Sequence, residues 1–195
     1  MLAKLLGLAL IALPTAAASQ PAPSTSAAVT PYRINPGDEL EISVWGDERL
    51  QRNPLVLPDG TFAFPLVGQV AAAGRLPAEI ERLITARLQP QYRGPVPQVT
   101  VAVRKASGYQ FSVVGKVRNP GTFTPGRYVN ALEALAIAGG PSEFAQVGST
   151  RMIRKAGNQL VVLPVRLQDA LRGDTARMSS QDIPRVESGD TIVVP

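Results

Sequence analysis

The chain predicts an α+β protein made of two small mixed units, and three observations carry that prediction. Apolar residues alternate through ELEISV at 39–44, QVTVAV at 98–103 and TIVV at 191–194, the two-residue period of half-buried strands. Two other stretches, PAEIERLITARL from Pro77 and ALEALAIAGG from Ala131, repeat their apolar residues at helical spacing. Strand, turn and helix signals then recur in the same order in both halves, on either side of the small-residue junction Ala106-Ser107-Gly108.

The elements are read in order from the amino terminus. Lys4, the apolar run Leu5 to Leu13, Pro14 and the small residues Ala16-Ala17-Ala18 have the layout of a removable export signal, residues 1–18, with cleavage near Ala18. Residues 19–31, rich in Pro, Ala, Ser and Thr without periodicity, bury too little to offset ordering entropy and read as a flexible leader, so folded structure is expected from Tyr32. Pro36-Gly37 forms a turn pair, after which Leu40, Ile42 and Val44 share one strand face and Glu39, Glu41 and Ser43 the other. Asp59-Gly60 is a hairpin signal, followed by apolar positions for two further strands. Pro77 suits the first helical position, Ile80, Leu83, Ile84 and Leu88 form the buried stripe, and Pro90 interrupts. Val99, Val101 and Val103 then close the first unit as a strand ending at Lys105.

The second unit opens with an alternating strand, YQFSVVG, and a turn at Asn119-Pro120-Gly121. Asn130 with Glu133 three residues on is a capping-box start for a helix whose stripe is Leu132, Leu135 and Ala136, stopped by Gly139 or Gly140 and Pro141. TRMIRKA and QLVVLPV predict a hairpin around Gly157-Asn158, RLQDALRG a short helix, Gly173 to Pro184 a surface loop, and TIVV a last strand. Two internal echoes stand out. Val-Gly-x-Val occurs at 67–70 and again at 114–117, and Pro36-Gly37-Asp38 near the start is matched by Ser188-Gly189-Asp190 near the end.

Composition excludes whole classes of chemistry. The sequence holds no histidine and no cysteine, which removes the usual neutral-pH base, the commonest zinc ligands and any thiolate or disulfide, so no metal and no cofactor is expected. The net charge of +5 is spread as single arginines with few aromatic residues among them, which argues against nucleic acid and is compatible with an acidic partner such as a uronic-acid polysaccharide. No segment after the leader approaches the roughly 20 apolar residues of a membrane-spanning helix, so the mature chain is expected in the periplasm and in water.

Candidate residues each have a functional and a structural reading. Glu39 and Glu41 lie on one strand face roughly 7 Å apart, near the spacing of glycosidase carboxylates, yet any alternating strand with a solvated acidic face produces that spacing. Tyr32-Arg33 is a still weaker lyase pair. Trp45 suits a sugar-stacking platform, core packing or a subunit contact. Pro36, Gly37, Asp38, Asp59, Gly60 and Pro120 are what turns need whether or not they bind anything. Gly115 and Gly121 allow another backbone, or a sugar, to approach closely. Arg104, Lys105, Lys116 and Arg118, read as lying near the junction of the units, face either an acidic polymer or solvent. No catalytic residue is assigned.

With these residues in place, the chain resembles a known family, the bacterial polysaccharide export proteins of the periplasm and outer membrane. YRINPGDELEISVW, PLVLPDGTFAFPLVGQVAAAG and the helix that follows resemble its polysaccharide-export domain, expected over residues 32–106. FSVVGKVRNPGTFTPGRYVNALEALAIAGG with VESGDTIVVP is similar to its soluble-ligand-binding β-grasp module, expected over residues 107–195. The resemblance implies a capsular or extracellular polysaccharide as cargo, a homo-oligomeric ring of subunits around a passage, and an inner-membrane polysaccharide copolymerase below it. Larger members carry a lipid-modified cysteine and a carboxy-terminal amphipathic helix. This sequence has neither, so a separate outer-membrane channel protein is expected to complete the route. The alternatives are an exopolysaccharide-binding or chain-length accessory module and, at a distance, a polysaccharide hydrolase or lyase using Glu39 and Glu41.

Overall fold

The first sheet is built around β1 (Glu39–Val44), which pairs antiparallel with β2 (Asp47–Arg52) on one side and β5 (Val99–Lys105) on the other. Between β2 and β5 the chain forms a two-stranded ribbon of β3 (Thr61–Phe64) and β4 (Gly68–Ala71) and then helix α1 (Pro77–Leu88), which packs on β5. Alternation sets the faces: Leu40, Ile42 and Val44 are buried while Glu41 is exposed. In α1 the buried stripe is Ile80, Ile84 and Leu88. A helix of this length is marginal alone, and each of these buried side chains contributes roughly 2 kcal/mol, so it is the stripe that holds the helix. Glu81 adds a tie, its Oε1 accepting from the Val101 amide at 3.0 Å.

This is a computed structural model and describes residues 30–173 and 182–195. The expectations for the export signal, for most of the leader and for the centre of the 173–184 loop fall outside the described residues. Near the start of the described residues, the Tyr32 hydroxyl donates to Asp38 Oδ2 at 2.8 Å.

The second sheet is mixed, in the order β7 (Gly121–Phe123), β6 (Phe111–Gly115), β10 (Thr191–Val194), β8 (Arg151–Ala156), β9 (Gln159–Pro164). The last strand of the chain lies in the middle, parallel to β6 and antiparallel to β8. Helix α2 (Ala131–Ile137) has the predicted capping box: Glu133 N donates to Asn130 Oδ1 and Asn130 N to Glu133 Oε2, both at 2.9 Å. Gly139 and Gly140 are both left-handed after it. The hairpin of β8 and β9 turns at Gly157-Asn158 and is followed by α3 (Leu167–Arg172), as predicted. Residues 31–195 cluster as one compact unit, in which buried apolar side chains form two cores, one from Ile34 to Val101 and one from Phe111 to Val194.

Four local expectations are corrected. Strand β2 was not foreseen, because DERLQR offers only Leu50 to a core. Asp59-Gly60 does not join two paired strands; it makes a tight turn in which Leu57 N donates to Thr61 O, and the β3–β4 hairpin turns instead at Pro65 to Val67 with Leu66 at φ 63°. The stripe of α2 is Ala131, Ala134 and Leu135, with Leu132 half-buried and Ala136 exposed, because the face that packs into the second core runs through Ala131, Ala134, Leu135 and Ala138. Finally, the two Val-Gly-x-Val segments are not equivalent: Gly68 begins β4 whereas Gly115 ends β6.

Candidate functional site

The true structural repeat is the other echo. Asn35-Pro36-Gly37-Asp38 and Glu187-Ser188-Gly189-Asp190 form the same turn, with Gly37 at φ 93° and Gly189 at φ 87° in the position that requires a positive value. In each turn the aspartate amide donates to the carbonyl three residues earlier, at 3.1 Å to Asn35 and 3.2 Å to Glu187. Each aspartate Oδ2 in return accepts that residue's own amide at 2.7 Å. Both carboxylates are buried, and among the described residues no buried side-chain polar atom lacks a partner.

The two turns meet at the junction. Gly108 N donates to Asp38 Oδ1 at 2.8 Å, and Gly108 O accepts from Ser188 Oγ at 2.6 Å, so one residue is gripped by both turns. Only glycine fits there, since a Cβ on residue 108 would lie 2.2 Å from Pro36 O. Around this residue Tyr32 donates to Asp38 Oδ2 at 2.8 Å and stacks on Tyr128, with centroids 5.7 Å apart. Tyr109 meets Tyr128 edge-on at 5.2 Å, and the Arg185 guanidinium lies 3.5 Å over the Tyr128 ring. Burial pushes the Tyr32 phenol well above its ordinary range. That keeps it protonated and unsuited to the base role of a lyase pair. On the other side Arg154 holds Asp190 through Nε at 3.0 Å and a terminal nitrogen at 2.7 Å, and also pairs with Glu187. The hydrogen bond to Asp190 is the main reason that the Arg154 guanidinium is held above its usual value. Sequence reasoning missed Arg154, Tyr109, Tyr128 and Arg185. The matching Gly-Asp turns were the signal for this place, since two equal turns in one chain mark two equal anchoring jobs.

The remaining candidates are scattered. Asp59 accepts from the Thr61 hydroxyl at 2.8 Å and amide at 2.9 Å, which lowers its pKa, and Gly60 is closed in by Ala73. At Gly115, φ 95°, the close neighbour is backbone: a Cβ would lie 2.0 Å from Val194 O. Pro120 and Gly121 are exposed, and a Cβ on Gly121 would meet nothing within 4 Å. Arg104 and Lys105 do lie beside the junction but are drawn to Glu39, at 3.4 and 3.8 Å. Lys116 and Arg118 are placed at the far end of β6, beyond Gly115, because the strand runs away from the junction; they do not join the other two. Glu39 is thus matched by two cations and Glu41 is exposed, the arrangement of a solvated strand face. No described group of His, Cys, Asp and Glu could hold a metal ion.

Trp45 is not a core residue, being 81% exposed at the tip of the β1–β2 turn. It borders a cleft of about 410 Å³ with Ser43, Asp47, Glu48, Gln51, Gln98 and Thr100 in its lining. Among the described residues no helix is long and apolar enough to cross a membrane.

Residues 26–104 match the family model for polysaccharide biosynthesis/export proteins. The polysialic acid transport protein KpsD of Escherichia coli is 30% identical over 165 residues, 84% of this chain and 28% of that protein. The EPS I polysaccharide export outer membrane protein EpsA of Ralstonia solanacearum is 28% identical over 186 residues, 83% of this chain and 49% of that protein. The capsule polysaccharide export outer membrane protein CtrA of Neisseria meningitidis is 28% identical over 156 residues, 70% of this chain and 38% of that protein. The chain therefore spans between a quarter and a half of the length of these relatives. The matched segment, residues 26–104, holds the first sheet, α1 and the Asp38 turn, and it is this part of the chain that is similar to the polysaccharide biosynthesis/export proteins.

Proposed function

We propose that this chain is a periplasmic component of a capsular or extracellular polysaccharide export complex, and that it moves polymer without cutting it. The family match of residues 26–104 carries this reading. Two domains do the work, an export domain over residues 32–106 and a β-grasp-like domain over residues 107–195, held at a fixed angle by the grip on Gly108. Identical subunits assemble into a ring above an inner-membrane copolymerase, and a separate outer-membrane channel protein receives the polymer. The five-stranded sheet supports assembly: its edge strand β9 leaves Leu160, Val161 and Val162 exposed, and such an edge needs cover.

A clean deletion tests the function. It is expected to lower secreted polymer and raise the cell-retained pool, while total polymer falls less than secretion does. Unchanged secretion would refute the export role, and longer secreted chains at normal yield would point to chain-length control instead. Cross-linking in cells is expected to give one high-order species.

A further inference from the structure

The Trp45 cleft has the make-up of a sugar subsite. Trp45 and Gly46 form the two-residue connection between Val44 and Asp47, with Gly46 at φ 78°, and the Trp45 amide donates to Gln98 O at 2.9 Å. The backbone under the indole is therefore fixed from two sides while the ring itself packs on little. Leaving so large an apolar side chain in water forgoes roughly 2 kcal/mol of burial, and nothing in the turn requires an aromatic residue.

The polar groups beside the ring are free. Ser43, Gln51, Gln98 and Thr100 line the same cleft, and among the described residues none of their side chains makes a hydrogen bond to the protein. Elsewhere amide side chains are engaged: Gln69 donates to Thr61 Oγ1 and Gln89 to Gly94 O. An exposed aromatic face flanked by unengaged hydroxyl and amide groups along a shallow cleft matches a pyranose, which offers one apolar C–H face and a rim of hydroxyls.

Charge narrows the class. Asp47 and Glu48 both line the cleft, no lysine or arginine is among its lining residues, and the adjacent Arg49 is bound to Asp47 through Nε at 3.1 Å. That hydrogen bond is the main reason the Asp47 carboxyl lies below its ordinary range, so it is ionised in the periplasm. We infer that the cleft around Trp45 binds one or two sugar units of the polymer, and that it takes neutral or amino sugars in preference to uronic acids. This rests on the polysaccharide reading above and adds to it the sugar class.

Trp45 is the chain's only tryptophan, so its emission reports on the cleft without labelling. Purified protein is titrated with maltohexaose, chitosan hexamer and oligogalacturonate of equal length. The expected result is saturable quenching with a blue shift for the first two, and binding at least about tenfold weaker for the third. By calorimetry, Trp45→Ala and Gln98→Ala are each expected to weaken the chitosan hexamer at least about fivefold, with unchanged circular dichroism. Flat emission with all three probes up to about 10 mM overturns the inference, as does equal or tighter binding of oligogalacturonate. An emission shift that follows protein concentration without sugar also overturns it, and assigns Trp45 to a protein contact. None of these outcomes touches the deletion phenotype, so the export reading and the subsite fail separately.

Discussion

The two Gly-Asp turns share a backbone and differ in what they bind. Asp38 is 0% exposed and is satisfied by neutral donors alone, the amides of Asn35 and Gly108 and the hydroxyl of Tyr32. Asp190 is 1% exposed and is held by its own turn amide and the Arg154 guanidinium, while the grip on Gly108 passes to Ser188. The same four-residue device thus serves two ends. At Asp38 the carboxylate itself crosses the junction, whereas at Asp190 it locks the turn to β8 so that a neighbouring serine can cross. The difference shows that a repeated motif conserves turn geometry first, and that the partner of its carboxylate is chosen by the surrounding sheet.

Gly108→Ala strikes both turns together and has the largest expected effect. The new Cβ meets a carbonyl that cannot move without breaking the Asp38 turn, so a loss of about 4 kcal/mol or outright failure to fold is expected in urea denaturation. Gly121→Ala, with open space around it, is the control and should stay within about 0.5 kcal/mol. Next come the carboxylates. Asp38→Ala strands two backbone amides at the junction and should cost about 3 kcal/mol. Asp190→Ala should cost less, about 2 kcal/mol, because Arg154 keeps Glu187 and the Arg185 carbonyl as partners. Equal losses, or the reverse order, would break the comparison.

Tyr32→Phe is a gentler cut and carries a pH signature. Removing the hydroxyl bond to Asp38 should cost about 1 kcal/mol at neutral pH. Because burial raises the phenol's pKa in the fold, the protonated form is favoured there. The resulting stability is complete below the ordinary value of 10.0 and is lost as pH rises above it. The wild type should therefore weaken more steeply above pH 10.0 than Tyr32→Phe does, as followed by thermal melts across that range. Smallest of all, Glu39→Gln with Glu41→Gln should shift stability by about half a kcal/mol, since both side chains lie on a solvated face.

Much of the fold was legible where local periodicity and tertiary packing agree. The helix from Pro77, the capping box at Asn130, the hairpin at Gly157-Asn158 and the final strand all declare themselves within a few residues. β2 did not, since a strand paired on one edge that buries a single side chain, Leu50, needs little apolar character. The candidate site was legible only in outline. The turns at Asp38 and Asp190 stand out in the sequence, yet their meeting at Gly108 joins residues 70 and 80 positions apart, and no local pattern encodes that distance. Trp45 was open among three readings because alternation gives a strand face, not whether a partner covers it. Its exposure removes the core reading.

The claim that the chain carries polymer and does no bond chemistry is tested most directly by complementing the deletion with the Glu39→Gln, Glu41→Gln double variant and measuring secreted, cell-retained and total polysaccharide. The account predicts secretion restored to the wild-type level, and no cleavage of polymer by either purified protein. A double variant that folds normally yet fails to restore secretion, while the purified wild-type protein cuts polymer and the variant does not, would contradict it and make the carboxylate pair catalytic.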